Sequence, residues 1–411
     1  MNKPSNLYRT ALGRNDCAYG SNKSLAKYNW LKLTPAYSLK LVEEIISKSQ
    51  NKTGHLLDPF AGSGTTGLAA TQLGYKVDLY EINPFLCWLI KAKFEKIKHK
   101  SIKKTHQSTI LLKKEIQKYQ NQNLWKPQYH NIERWWAKET IIGLAALKEN
   151  LEREYGEIKN NQNKIVWVAF FQTVAETLNV KHNHISLTLK SEKEDYNIEE
   201  VIEIYTKNLN KLLKEDSNHN NEEINLYNED ARLLKEKGKY NIVITSPPYA
   251  NRVSYVRELR PYLYWGNFIQ TAEDAGELDW QAIGGTWGTA TRKLKRWKPD
   301  RNNVTKFTEK YQEAIKKKEN KYADLIATYV GKYFYDIFLH FEALTEKLAP
   351  NAEINYVVGN SSFYKILIPT EMIYMDMLKE LGFEDIKTRL VRQRNYNKNL
   401  YEYCVTARWN K

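Results

Sequence analysis

The sequence predicts an α/β chain built on a mostly parallel sheet that two long insertions interrupt. Three observations carry this. A strand, a glycine-rich turn, a helix and a second strand follow one another in "HLLDPFAGSGTTGLAATQLGYKVDLYEINP", residues 55–84. A buried-strand run, "YNIVI" (240–244), stops at "TSPPY" (245–249). A long helical run, "ADLIATYVGKYFYDIFLHFEALTEKL" (323–348), precedes the strand "AEINYVVGN" (352–360), and "LGFEDIKTRLVRQR" and "LYEYCVTAR" then read as an antiparallel pair.

Each element follows from its pattern. In "SLKLVEEIISKS", Leu39, Val42, Ile45 and Ile46 fall at helical spacing. "HLLD" is a short strand, "PFAGSG" a turn, and "TTGLAATQL" a helix that Gly74 ends. The strand "YKVDLYEI" is closed by Asn83 and Pro84. Residues 91–221 then read as mostly helical and polar. They include a lysine-rich stretch (91–107), the aromatic "ERWWAKETIIGLAAL", in which Trp135 and Trp136 pack a helical core, and the amphipathic "VIEIYTKNLNKLL". Sheet signals resume at "EINLYNEDA" (223–231) and "YNIVITSPPYA". A second non-sheet region, 251–325, is rich in aromatic, glycine and basic residues. Insertions in loops cost little stability, and loops at the carboxyl ends of strands carry ligand sites in such sheets.

At 411 residues the chain buries a real core, and its apolar fraction of 42% is that of a folded protein. The net charge of +15 points to a polyanionic partner, or to a lysine-rich solvated surface. Three distant cysteines (Cys17, Cys87, Cys404) offer neither metal spacing nor a disulfide framework, which suits a reducing compartment. "MNKPSNLYRT" lacks the apolar stretch of a signal peptide, and the longest apolar run, "IVWVAFF", is too short for a bilayer. The expected location is cytoplasmic, with no membrane and no metal.

In "DPFAGSGTT", Gly62 and Gly64 let the backbone approach a ligand at a helix N-terminus. No lysine follows the last glycine, which disfavours a phosphate-binding P-loop. Glu81, about twenty residues on, is an acid placed for ribose hydroxyls. The spacing Gly62, Gly64, Gly67 also fits a dinucleotide site formally, but the preceding Asp-Pro-Phe points elsewhere.

Together, "DPFAGSGTT", "YEINP", "NEDA" and "TSPPY" resemble the S-adenosylmethionine-dependent DNA amino-methyltransferases, which modify the exocyclic nitrogen of cytosine or adenine. The resemblance covers about 28–90 and 224–411 and implies a Rossmann-like methyltransferase sheet with an antiparallel C-terminal strand. It implies S-adenosylmethionine held by Thr34, Pro35, Asp58, Phe60, Gly62, Ser63, Gly64, Thr65, Glu81, Asn83, Asp230 and Ala231. Asp230 matches the residue that meets the adenine amino group of the cofactor. Ser246, Pro247, Pro248 and Tyr249 match the catalytic loop. The implied division is a cofactor-binding half (1–97), a helical insertion (98–221), the catalytic strands (222–250), a basic insertion for target recognition (251–330) and a C-terminal half (331–411).

An exocyclic amine is a poor nucleophile, because its lone pair delocalises into the ring. The Ser246 oxygen and the Pro247 carbonyl would take its two N–H bonds, with the prolines fixing that carbonyl in place. Tyr249 would stack on the target base, which must leave the duplex. Phosphate and base contacts fall to Arg252, Trp287, Arg292, Lys293, Lys295, Arg296 and Trp297. The implied partner is double-stranded DNA, with a cognate restriction endonuclease acting separately. The serine form of the loop favours cytosine N4 over adenine N6. An RNA methyltransferase and an inactive nucleic-acid-binding module are the other readings. No Pro-Cys pair near the catalytic strand supports methylation at cytosine carbon 5.

Overall fold

The computed structural model describes residues 12–13, 16–17, 22, 27–31, 38–95, 124–160, 163–181, 188–214, 224–236, 238–286, 288–394 and 399–411. Thr34, Pro35, Trp287 and most of the lysine-rich stretch lie outside them.

The first unit runs α1 (Leu39–Lys48), β1 (His55–Asp58), α2 (Thr65–Gln72), β2 (Lys76–Tyr80) and α3 (Pro84–Phe94). Helix α2 lies flat on the sheet because Gly67 has no side chain: a Cβ there would come within 2.7 Å of Leu79 Cδ1. Helix α3 starts at the Asn83–Pro84 pair that the sequence reads as the end of the strand. Asn83 Oδ1 caps it by accepting from the Phe85 and Leu86 N–H groups at 3.0 and 3.4 Å, and Pro84 fills the first turn.

The first insertion contributes α4 (Ile132–Trp135), α5 (Lys138–Tyr155), α6 (Lys164–Glu176), a small hairpin β3 (Val180–Lys181) and β4 (Thr188–Leu189), and α7 (Ile198–Lys214). Strands β5 (Ile224–Tyr227) and β6 (Tyr240–Thr245) return to the sheet. The second insertion holds α8 (Tyr255–Trp265), α9 (Ala272–Gln281), α10 (Thr289–Arg296) and α11 (Glu309–Lys316). The chain ends with α12 (Ala323–Thr345), β7 (Leu348–Gly359), a hairpin of β8 (Ser361–Phe363) and β9 (Ile366–Ile368), α13 (Thr370–Glu380), β10 (Glu384–Gln393) and β11 (Tyr401–Trp409).

The seven-stranded sheet has the order β10-β11-β7-β6-β1-β2-β5. Strands β7, β6, β1, β2 and β5 pair in parallel, and β11 pairs antiparallel with both its neighbours. This is the Rossmann-like sheet with a reversed C-terminal strand that the sequence predicts. Ile242, Val243, Ile244 and Thr245 of β6 are fully buried, as a central parallel strand covered on both faces must be.

One local expectation is corrected, and one element appears that the sequence did not signal. Strand β7 begins before Pro350 rather than after it. The sheet accommodates that proline at an irregularity, where register with β6 jumps from Tyr240–Leu348 to Ile242–Glu353. The hairpin β8–β9 has no strong sequence signal, because its two turn residues, Tyr364 and Lys365, take the left-handed conformation that glycine or asparagine usually supplies.

Apolar side chains gather on both faces of the sheet. One face packs on α12 and α13, the other on α1 and α2. A third core lies among α3 and the helices α5, α6, α7 and α8, around Trp136, Trp167, Phe171 and Trp265. Trp135 and Trp136 belong to it, as expected.

Candidate active site

The parallel strands end on one side of the sheet, and the chain leaves β1 and β6 in opposite directions. That is the switch point at which α/β sheets open a crevice. The strand ends there hold the glycine-rich turn, Glu81, the "NEDA" segment and "TSPPY".

After β1 the chain turns on Asp58, whose side chain is fully buried. Its Oδ1 accepts from the Phe60 N–H at 3.1 Å and from the Thr245 hydroxyl at 2.6 Å. Burial pushes its carboxyl up to about 6. Gly62 and Gly64 take positive φ, +54° and +82°, which a side chain would strain. Nothing lies within 4 Å of a Cβ built on Gly62 except the Phe60 carbonyl at 4.0 Å, so its backbone is open to a ligand. From behind, Lys93 Nζ donates to the Ser63 carbonyl at 2.7 Å. This lysine is buried, and burial alone pushes its ammonium down to about 7. It belongs to the lysine-rich stretch 91–107, and its apolar neighbours Ile90, Ala92 and Phe94 are the signal of a buried helix face.

Glu81 closes the turn. Its Oε2 accepts from the Gly62 N–H and its Oε1 from the Asn83 N–H, both at 2.8 Å. Burial pushes its carboxyl up to about 7, against the pull of these two bonds. Each oxygen keeps a lone pair for a ligand, which matches a pair of neighbouring hydroxyls.

After β5, Asp230 is gripped by Arg232. Its Oδ1 accepts from the Arg232 backbone N–H at 2.9 Å and Nε at 3.0 Å, and its Oδ2 from Nε at 3.0 Å and Nη2 at 2.6 Å. Ala231 offers its carbonyl to His340 Nδ1 at 2.8 Å. A carbonyl only accepts, so Nδ1 carries the proton and Nε2 accepts from the Tyr356 hydroxyl at 2.6 Å. Burial holds that imidazole neutral, down at about 4.

After β6, the Ser246 hydroxyl donates to the Val357 carbonyl at 3.1 Å. With its proton so committed, the oxygen is left as an acceptor. The Pro248 carbonyl accepts from the Tyr333 hydroxyl at 2.7 Å, and Tyr333 is bonded to the Tyr374 hydroxyl at 2.9 Å. The Tyr249 ring lies against the Gly359 backbone, where a Cβ would come within 2.8 Å of it, and the Arg394 guanidinium sits 5.6 Å from its centroid.

One cavity joins these segments. Phe60, Gly62, Ser63, Thr65, Glu81, Asn83, Asp230, Ala231, Ser246, Pro247, Pro248 and Tyr249 all line it. Asp58 and Gly64 do not; they support the turn from beneath. Glu229, Tyr255, Arg392 and Glu402 also line it and were not singled out from the sequence. Arg392 and Glu402 form a two-bond pair at 2.5 and 2.7 Å between facing positions of β10 and β11. Only the strand pairing brings them to the cavity.

The predicted nucleic-acid residues divide. Arg292, Lys295 and Arg296 are exposed on α10. Lys293 instead pairs with Glu277 at 2.5 Å. Trp297 packs edge-on against Tyr335 at 5.5 Å and joins the core beneath. Arg252, at φ +59°, donates its backbone N–H to the Tyr329 hydroxyl at 3.0 Å, and its Nε is buried without a partner. None of these residues lines the cavity. Among the described residues, no helix is long and apolar enough to cross a membrane.

Residues 15–92 match a family profile described as DNA methylase, of the N6/N4 type. The chain is 25% identical over 378 residues to the type II methyltransferase M.MvaI of Kocuria varians, covering 83% of this chain and 78% of that protein. It is 23% identical over 414 residues to the type II methyltransferase M.AvaI of Nostoc sp., covering 91% and 82%. It is 24% identical over 432 residues to the type II methyltransferase M.BsoBI of Geobacillus stearothermophilus, covering 92% and 83%.

Proposed function

We propose that this chain, a member of the type II N4/N6 DNA amino-methyltransferase family, methylates the N4 amino group of cytosine, flipped out of double-stranded DNA, with S-adenosylmethionine as the donor. The observation that carries the reading is the shared cavity. It sets the Ser246 oxygen, whose proton is spent on Val357, across from the open glycine turn and Glu81.

The residues present fit the cofactor. Gly62 leaves its backbone clear, and Glu81 keeps a lone pair on each oxygen for the ribose hydroxyls. When bound, S-adenosylmethionine supplies an electrophilic methyl group on a sulfonium. The protein's part is to hold and orient the amine. Ser246 Oγ and the Pro247 carbonyl accept its two N–H bonds, which draws the nitrogen lone pair out of conjugation with the ring. The Tyr333 bond to the neighbouring Pro248 carbonyl keeps the loop from moving as charge develops. Tyr249 offers a ring face for the base. Arg392 binds Glu402 through Nε and Nη2, which leaves Nη1 as a donor for a ring acceptor of the base.

Serine at the head of the loop supports cytosine over adenine. The exposed cations of α10 provide phosphate contacts. A cognate restriction endonuclease acting separately fits the same reading.

The test is methyl transfer from labelled S-adenosylmethionine to unmodified genomic DNA and to tRNA, followed by mass spectrometry of the digested nucleosides. N4-methylcytosine in DNA is the expected product. N6-methyladenine would overturn the base assignment and keep the amine chemistry. Label in RNA alone would overturn the DNA substrate.

A further inference from the structure

We infer that Arg257 and Arg260 of α8 form a phosphate-binding site for duplex DNA beside the mouth of the cavity. This rests on the reading of the cavity as the site of methyl transfer to DNA.

A nucleotide flips by rotating about its own backbone, so its base enters the pocket while its phosphates stay at the rim. The elements that wall the cavity are therefore the ones the backbone meets. Helix α8 is such a wall, since Tyr255, Val256 and Leu259 line the cavity. Arg257 and Arg260 interleave with these residues in sequence and fall on a neighbouring face of the helix. No residue of α10 lines the cavity.

Arg260 is held in two ways. Pro261 sits inside α8 and has no N–H, so the Arg257 carbonyl loses its helical donor. Arg260 Nε donates to that carbonyl instead, at 3.1 Å, in a bond that lies at the surface. The guanidinium carbon also sits 5.6 Å from the Tyr129 ring centroid and 5.3 Å from that of Trp135, two rings that meet edge-on at 5.5 Å. A guanidinium fixed at Nε and backed by aromatic rings is oriented before any ligand arrives. Its planar fork suits a phosphate, and the entropy of holding it is already spent.

The charge here is unbalanced. Burial against the rings holds the Arg260 guanidinium below its usual pKa; Arg257 adds to this, and Tyr129, Tyr264 and Glu258 oppose it. Arg257 is exposed, and no ion pair engages its side chain among the described residues. A phosphodiester between the two guanidinium groups removes a repulsion that the fold leaves standing. An arginine that only filled the helical core would be replaced without loss of DNA binding by a neutral side chain of similar reach.

The test is fluorescence anisotropy of a labelled random-sequence DNA duplex with the full chain and S-adenosylhomocysteine, across a salt series. Arg257→Ala and Arg260→Gln should each lower the slope of log K against log salt by about 1. Arg260→Lys keeps the charge and loses the fork, so it should keep the slope and bind more weakly. In methyl transfer to unmodified genomic DNA, Arg257→Ala should raise KM for DNA severalfold with kcat near that of the wild type. Calorimetric binding of S-adenosylhomocysteine should match the wild type in every variant, which reports an intact fold. Wild-type slopes in Arg257→Ala and Arg260→Gln overturn the inference and leave the DNA substrate standing, and so does a loss of slope seen on tRNA but not on the duplex. Should Arg260→Gln fail to fold, the exposed Arg257→Ala decides alone. A wild type that does not bind the duplex overturns the DNA reading and the inference with it.

Discussion

The Thr245 hydroxyl donates to Asp58 Oδ1 at 2.6 Å, with both side chains fully buried. This single bond joins the last residue of β6, where the catalytic loop begins, to the last residue of β1, where the glycine turn begins. Thr245→Val keeps the shape and removes the donor. The buried carboxyl then loses its best partner, so the expected cost is about 1–3 kcal/mol in urea unfolding. Turnover should fall more than cofactor affinity, because the two loops lose their common reference. A stability loss indistinguishable from zero would mean that the bond does not order the site.

Ser246→Ala removes the oxygen that is proposed to accept the amine N–H. Turnover should fall by about a hundredfold to a thousandfold, the usual loss when one preorganised polar contact to the reacting group is deleted. Binding of S-adenosylhomocysteine by calorimetry should not change. Single-turnover transfer at the wild-type rate would remove Ser246 from the chemistry.

Glu81 has its carboxyl raised from the ordinary 4.5 to about 7 by burial. Between those values the folded chain holds a proton that the unfolded chain has released. The stability linked to this group is therefore greatest below pH 4.5 and is lost as pH rises through 7. In Glu81→Gln that slope should vanish, so the stability of the wild type relative to the variant should decline as pH rises across this range. Cofactor affinity should run the other way, rising with pH as the carboxylate becomes the better acceptor for two hydroxyls. Matching pH profiles of the two proteins would exclude this titration.

DNA affinity should fall steeply with salt if the exposed cations of α10 touch phosphates. Lys295→Ala and Arg296→Ala should each lower the slope of log K against log salt by about 1, with the same weakening on any sequence. Lys293→Ala should change it less, since Glu277 already neutralises that ammonium. Identical slopes in all three variants would place the DNA elsewhere.

The sequence exposed what strand ends and glycines dictate. The unit from His55 to Pro84 and the strand that runs into Ser246 were legible, because buried strands, a glycine turn and an asparagine cap all act locally. Contacts that depend on strand order were not. The bond between Thr245 and Asp58 spans 187 positions, and Arg392 meets Glu402 only through the pairing of β10 with β11. "NEDA" showed two acids but not which one a neighbouring arginine would consume. Trp297, flanked by lysine and arginine, read as a nucleic-acid contact; its ring instead packs on Tyr335 while Arg296 and Lys298 on either side stay exposed.

The helical core has a consequence for engineering. Trp136 and Phe170 of the first insertion meet Trp265 of the second at 5.9 and 6.2 Å, and Phe85, at the start of α3, stacks on Tyr262 at 5.0 Å. Two segments separated in the chain by β5 and β6 thus share one interior. A chimera that borrows a relative's helices for residues 124–214 while keeping 255–269 from this chain would face mismatched aromatic surfaces. The exchangeable cassette is the pair together, and recombination at a single boundary would break it.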